Sequence, residues 1–108
     1  MTSIINFHET VNGQEQKTVS KICPIDGRIS NIKLFFPATD QVGLAIGFES
    51  KKVCPETGFI FLNNKSPSFS VNEEVRKNGR IWLDLKNEGS EIFTITAIIT
   101  IISKEVIK

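Results

Sequence analysis

Large apolar side chains recur at every second position in several short segments, which is the period of a β-strand. The segment 42–48 (VGLAIGF) is the clearest case, because its even positions are large and apolar and its odd positions are Gly, Ala and Gly. Such a strand has one core face and one nearly bare face, which another backbone or an aromatic ring can approach closely. Similar apolar faces are formed by Ile32 with Leu34 and Phe36, Phe69 with Val71, and Ile81 with Leu83 and Leu85.

Turn signals separate these segments at intervals of about 8–12 residues, as in all-β sandwiches and barrels. Asn12-Gly13 and Asn78-Gly79 supply residues that tolerate positive φ, and they predict tight hairpin turns. No segment has a convincing helical stripe, and the best helix candidate, 71–77, is too short. With 108 residues and no linker, the chain predicts one all-β domain over residues 1–108, an antiparallel β-sandwich of about eight short strands.

The segment from Ile92 to Ile102 is predicted to be a central strand. Its odd positions form one continuous apolar face, and its even face combines threonines with Ile92, Ile98 and Ile102. An uncharged β-branched run of this kind is an aggregation hazard when it is left as an exposed edge. In a sandwich only one face of each sheet points inward. The even face therefore needs cover from a loop, the N-terminal segment or a neighbouring subunit, and we favour a neighbouring subunit.

A pattern that contains both cysteines occurs twice. Residues 21–29 (KICPIDGRI) and 52–60 (KVCPETGFI) share Lys, a β-branched residue, Cys-Pro, Gly and a final Ile, which predicts two similar corners. For Cys23 and Cys54 we favour two buried free thiols, since no export signal is visible. A Cys23–Cys54 disulfide is one alternative, and a zinc site completed by Asp26 and His8 is another. Structural zinc prefers Cys and His ligands, so we expect neither a metal nor a cofactor.

Composition and charge exclude several classes of function. The chain is 40% hydrophobic and 23% charged, with a net charge of +1, and it lacks the basic patch of a nucleic-acid-binding protein. No apolar run reaches the ~20 residues of a membrane-spanning helix, and the first residues do not form a secretory signal. We therefore expect no nucleic-acid or membrane partner, synthesis in a cytoplasm, and no export by a signal peptide.

Residues suited to catalysis are few. The chain has one histidine, His8, and no tyrosine, so a Ser/His/Asp or Cys/His arrangement would need His8 as its base. Neither cysteine lies in a nucleophile motif, and no phosphate-binding loop is present. The sequence therefore predicts that the protein is not an enzyme.

Outward-pointing aromatic residues are better candidates for function. Trp82 and Phe35 alternate out of phase with the apolar faces of their segments, which favours a contact surface. We predict an interface formed by Ile92, Ile98, Ile102, Trp82 and Phe35.

Trp82 also supports a second hypothesis, a carbohydrate- or ligand-binding module. In that case Trp82, Asp84 and Asn87 would contact the ligand. A third interpretation is structural, with the indole packed under a loop or over Gly43 and Gly47 of an adjacent strand.

The order of elements carries a resemblance. It runs from 27–29 (GRI) through 34–37 (LFFP), 42–48, the turn at 54–58 (CPETG), 69–71 (FSV) and 79–81 (GRI) to the terminal Ile/Thr strand. This outline resembles small jelly-roll-type β-sandwich proteins of bacteriophages and other virus particles. The resemblance implies a non-enzymatic structural module, such as a capsid decoration or a tail or spike part, located in a virion or the cytoplasm. It implies a homo-oligomer, for example a trimer, or docking onto other structural subunits.

Overall fold

The computed structural model describes residues 2–104, and all of the regular structure among them is β-strand. The nine strands are β1 (Thr2–Val11), β2 (Gln16–Ile22), β3 (Gly27–Phe35), β4 (Val42–Phe48), β5 (Lys51–Cys54), β6 (Ile60–Phe61), β7 (Ser68–Val75), β8 (Arg80–Asn87) and β9 (Phe93–Ser103). The predicted all-β fold is confirmed, with nine strands rather than about eight. Residue 1 and residues 105–108, at the ends of the predicted domain, lie outside the described residues. In the part that is described, no helix has the length and hydropathy needed to cross a membrane.

Two antiparallel sheets pack face to face. Sheet A has the strand order β1-β9-β3-β7, and sheet B has the order β2-β8-β4-β5, with β6 also paired to β4. The pairing is nested, because β1 pairs with β9, β2 with β8, β3 with β7, and β4 with β5 and β6. This order arises when a long two-stranded ribbon folds back at its middle, so that its own strand pairs divide between the two sheets. The fold is therefore a jelly-roll-like β-sandwich.

The core lies between the sheets and follows the predicted alternation. Strand β9 lies between β1 and β3, so its predicted central position is confirmed. Its inward residues are fully or almost fully buried: Ile95, Ala97, Ile99 and Ile101. The inward faces of β3, β4 and β8 complete the core with the apolar residues that their alternation predicts.

The Asn-Gly turns join strands of different sheets. Asn12-Gly13 connects β1 of sheet A to β2 of sheet B, and Asn78-Gly79 connects β7 of sheet A to β8 of sheet B. Asn78 does have a positive φ, 74°, but nested pairing places these neighbouring strands in opposite sheets. The prediction of hairpins is therefore wrong at both turns. Residues 71–77, the best helix candidate, lie mostly in β7.

The two copies of the Cys-Pro pattern form different structures. Residue Cys23 begins the crossing from β2 in sheet B to β3 in sheet A, whereas the chain after Cys54 stays in sheet B as β6. In the first copy the Asp26 side chain accepts a hydrogen bond from the backbone N–H of Lys77, 2.9 Å away, which ties the corner to the β7–β8 turn. The second copy has Thr57 at that position and lacks this carboxylate. The prediction of two similar corners is therefore wrong.

Substitution of Ile99 by Ala should destabilise the domain by about 2–4 kcal/mol, because it leaves a cavity in a fully buried part of the core. The matched control is Ile102→Ala on the same strand, since Ile99 is 0% exposed and Ile102 is 37% exposed. We expect the control to cost less than about 1 kcal/mol. Urea unfolding measures both values, and equal losses would contradict the inside and outside assignment of β9.

Candidate functional site

A groove of about 630 Å³ lies on the outer face of sheet B. The inward positions of β8 are Ile81, Leu83 and Leu85, so the alternate residues of this strand point outward into the groove. The lining consists of Thr18 and Ser20 from β2, Arg80, Trp82 and Asp84 from β8, and Glu49 and Ser50 from the β4–β5 turn.

The register of sheet B brings these side chains together. Trp82 of β8 pairs with Ser20 of β2 on one side and Gly47 of β4 on the other. Asp84 likewise pairs with Thr18 and with Ala45. Each row across the sheet therefore has a hydroxyl on β2, a functional side chain on β8 and a small residue on β4.

Trp82 lies over the bare face of β4 and is held at its edge. A Cβ atom added to Gly47 would lie 2.0 Å from Cζ2 of the indole, so the ring occupies the space that the missing side chain leaves. The indole Nε1–H donates a hydrogen bond to the backbone carbonyl of Glu49, 2.7 Å away. Trp82 points outward, as predicted. Its packing over Gly47 agrees with the structural interpretation, but Gly43, which that interpretation also named, is covered by Phe61. The ring is a fixed part of the groove wall.

Phe61 covers the other glycine of this face. A Cβ atom at Gly43 would lie 2.5 Å from Cζ of the Phe61 ring, and Phe59 lies beside Phe61 with ring centroids 6.5 Å apart. The ammonium groups of Lys52 and Lys86 lie 5.0 and 5.7 Å from the Phe59 centroid. Together with Trp82, these rings leave β4 buried on both faces.

Polar groups of the groove form a partial hydrogen-bond network. The Thr18 hydroxyl donates to Oδ1 of Asp84 at 3.2 Å, and Nη1 of Arg80 donates to the Ser20 hydroxyl at 3.4 Å. The backbone N–H of Arg80 donates to Oε2 of Glu49 at 2.8 Å. None of the three charged side chains, those of Glu49, Arg80 and Asp84, forms an ion pair within residues 2–104. Glu49 and Arg80 are exposed, and Asp84 is half-buried.

Asn87 does not belong to this site. It is 2% exposed, and its Nδ2 group donates to the backbone carbonyls of Glu91, at 2.7 Å, and Val11, at 3.3 Å. Its Oδ1 atom accepts from the backbone N–H of Gly89 at 2.9 Å. Asn87 continues the inward phase of Ile81, Leu83 and Leu85, so it holds the β8–β9 connection and is not available to a ligand. This corrects its predicted role as a ligand contact.

The residues of the predicted interface are divided between surfaces. Ile98, Ile102 and Phe35 lie on the outer face of sheet A, whereas Trp82 lies on the outer face of sheet B. Ile92 precedes β9 instead of belonging to it, and it is 64% exposed in the β8–β9 connection. One surface therefore cannot use Trp82 together with the three residues of sheet A.

Ile4 joins the residues of sheet A. It pairs with Thr100, whose strand neighbours on the same face are Ile98 and Ile102, so Ile4 lies diagonally beside both. Phe35 pairs with Thr96 and is diagonal to Ile98. We call these four residues, Ile4, Phe35, Ile98 and Ile102, the apolar patch of sheet A. The outward direction of Ile4 could not be recognised from the sequence, because its neighbour Ile5 is an equally apolar residue.

Both cysteines are buried free thiols, as the favoured interpretation predicted. Burial raises the pKa of the Cys23 thiol, and the nearby negative charge of Asp26 raises it further. Burial also raises the pKa of Cys54. Within residues 2–104 no group of three or more His, Cys, Asp or Glu side chains is placed to hold a metal ion. His8, a ligand of the zinc alternative, has its Nδ1 atom 2.8 Å from Oγ1 of Thr96.

These features define a jelly-roll-like sandwich with a polar groove on one face and an apolar patch on the other. No family model and no curated protein matches the chain. The fold is similar to the crystal structure of FlhE, with a TM-score of 0.51 and 10% identity over 93% of this chain and 96% of that one. It is also similar to the Yersinia pseudotuberculosis-derived mitogen, with a TM-score of 0.52 and 10% identity over 98% of this chain and 91% of that one. At this identity the likeness shows the all-β fold alone.

Substitution of Gly47 by Ala should displace the indole of Trp82, because the added methyl group would overlap the ring. We expect loss of the bond to Glu49, a shift in the emission of the single tryptophan and a destabilisation of about 1–3 kcal/mol. The control is Gly89→Ala, whose Cβ would lie 3.2 Å from the flexible Gln41 side chain. Unchanged emission in Gly47→Ala would contradict the packing described for Trp82.

The buried thiols should make stability fall at alkaline pH. In the unfolded chain each thiol ionises near its ordinary pKa, roughly 8.5, whereas in the folded protein the raised pKa of Cys23 and Cys54 keeps the proton bound. The folded state then binds more protons, so the free energy of unfolding decreases as pH rises through this range. The loss is at most about 1.4 kcal/mol for each thiol at one pH unit above its unfolded pKa.

Urea unfolding under reducing conditions at several pH values tests this expectation. The Cys23→Ala/Cys54→Ala variant should be less stable at every pH, because it loses core volume, but its alkaline decline should be shallower. Parallel declines in the two proteins would show that other groups cause the effect.

Proposed function

We propose that the protein is a non-enzymatic assembly module that self-associates through the outer face of sheet A. The observation that supports this function is the apolar patch, which runs along the diagonals of sheet A and includes Ile98 and Ile102 of β9. Ile4 is 60% exposed and Phe35 and Ile102 are each 37% exposed. No strand or loop among residues 2–104 buries these side chains.

The surroundings of the patch resemble the rim of a protein interface. Thr94, Thr96 and Thr100 fill the remaining outward positions of β9 without any charge. On β3, Arg28 and Lys33 are the direct cross-strand partners of Ile102 and Ile98, so two positively charged side chains border the patch on this side. Interfaces between proteins commonly combine an apolar centre with polar side chains around it.

The outer face of sheet A is also large enough for a second copy. Four strands at about 4.8 Å spacing, each with about eight residues of 3.3 Å, give a flat area of roughly 500 Å² before side-chain relief is counted. A standard interface buries about 800 Å² on each partner, so this face with its rim is of the right order. A two-fold arrangement would place the same patch on both copies.

Assembly into a virus particle, as a capsid decoration or as a tail or spike part, is the specific form of this proposal that the sequence outline supports. The carbohydrate- or ligand-binding alternative uses a different surface, the groove of sheet B. The two functions can therefore be tested with separate variants.

The variants Ile98→Lys and Ile102→Lys should disperse the oligomer and leave the β-type circular dichroism intact. A central interface residue contributes at least about 1 kcal/mol, and a buried unpaired ammonium adds a larger penalty. We therefore expect self-association to weaken by more than about tenfold. Sedimentation velocity over a range of protein concentrations measures the change.

The matched control is Ile22→Lys, which has the same substitution on the outer side of sheet B, where Ile22 is 49% exposed. It should assemble like the unsubstituted protein. A concentration-independent monomer for the unsubstituted protein would refute the proposal. Equal dispersal by Ile22→Lys would place the interface elsewhere.

A further inference from the structure

The groove of sheet B has a chemistry that the proposed assembly does not use. It lies on the opposite face of the sandwich from the apolar patch and combines one aromatic ring, one free carboxylate edge, a guanidinium and several hydroxyls. We propose that this groove binds the neutral pyranose ring of a carbohydrate, with Trp82 packed against the ring and Asp84 accepting hydrogen bonds from its hydroxyls. This inference is independent of the proposed function.

Trp82 is suited to be the platform. The C–H bonds on one side of a pyranose form an apolar surface, and an aromatic ring offers a large apolar surface with an electron-rich face. The bond to the Glu49 carbonyl and the contact with Gly47 hold the indole in one orientation. A ring that is already fixed loses little entropy when a ligand packs on it.

Asp84 supplies the acceptor beside the platform. Its position two residues from Trp82 on β8 puts both side chains on the same face of the strand. A carboxylate has about four acceptor positions on two oxygens. Among residues 2–104 the Thr18 hydroxyl is the side chain that bonds to it, through Oδ1, so Oδ2 remains available to a ligand. Hydrogen bonds from hydroxyls to a charged acceptor are stronger than those between neutral groups.

The charges of the groove disfavour an anionic ligand. Glu49 and Asp84 carry two negative charges and Arg80 carries one positive charge, so a phosphate or carboxylate ligand meets net repulsion. A neutral sugar instead uses all three groups as hydrogen-bond partners, together with the hydroxyls of Thr18 and Ser20.

The volume of the groove, about 630 Å³, lies within the ~300–1,000 Å³ range of small-molecule sites.

The first experiment titrates the full chain with cellobiose, maltose, lactose, mannobiose and chitobiose. Isothermal calorimetry measures binding, and the emission of Trp82 reports contact with the indole. We expect at least one of these disaccharides to bind with a Kd of roughly 1 mM or tighter and to change the emission. Absence of binding by all five at about 20 mM would overturn the proposal.

Variants then locate the site. Asp84→Asn should weaken binding about tenfold, because it removes the charge while an amide oxygen can still accept from Thr18. Thr18→Val has nearly the same shape and should weaken binding by a few-fold. Trp82→Phe keeps a ring on the platform and avoids the unfolding that Trp82→Ala risks. We expect it to weaken binding less than Asp84→Asn does.

The control is Asp40→Asn, which removes a carboxylate in the β3–β4 connection, outside the groove, and should leave the Kd unchanged. A disaccharide whose Kd is the same in Asp84→Asn and the unsubstituted protein would overturn the assignment of this site. Tighter binding of glucose 6-phosphate than of the best disaccharide would overturn the choice of a neutral ligand. The oligomeric state of Ile102→Lys is read separately, so failure of either proposal is recognised without the other.

Discussion

The simultaneous pairing of β9 with β1 and β3 is the constraint on which the rest of the structure depends. It connects the first strand of the chain to the last, and it places β9 in the middle of sheet A. The inward face, Ile95 to Ile101, also fixes the register, because a slip by one residue would turn Thr94, Thr96 and Thr100 into the core. Once β1 and β9 are paired, the remaining pairs nest inside them. Every connection except β4–β5 and β5–β6 then crosses between the sheets.

The same alternation makes the two outer faces different. On sheet A the outward positions of the middle strand are β-branched and large, so this face presents isoleucine and threonine side chains to its surroundings. On sheet B the outward positions of β4 are Gly, Ala and Gly, and aromatic rings from β8 and β6 lie down on them. The apolar patch of sheet A and the groove of sheet B therefore both depend on the size of the outward side chains, those of β9 in one case and those of β4 in the other.

Much of the fold could be predicted from local sequence, and the site only in part. Alternation in 42–48 and 92–102 indicated both core faces, and the glycines of β4 already suggested an aromatic cover. Asn87 could have been recognised as inward, because it continues the phase of Ile81, Leu83 and Leu85, but its polarity suggested a ligand contact. The contributions of Thr18, Ser20 and Glu49 were missed, since they depend on which strands become neighbours. The Asn-Gly motifs show the same limit: they specify a tight turn, but not whether it joins strands within one sheet or between two.

The pairing of Thr2 with Ile102 has a consequence for how this unit can be joined to other polypeptides. Thr2 of β1 and Ile102 of β9 lie side by side at the same end of the sandwich. Polypeptide joined to the sandwich at these two strands would therefore attach at neighbouring points. A unit with adjoining connections can be inserted into a surface loop of a host protein without separating the two halves of that loop. The geometry thus permits this sandwich to be carried as an outgrowth of a larger scaffold, tethered at two neighbouring points instead of one.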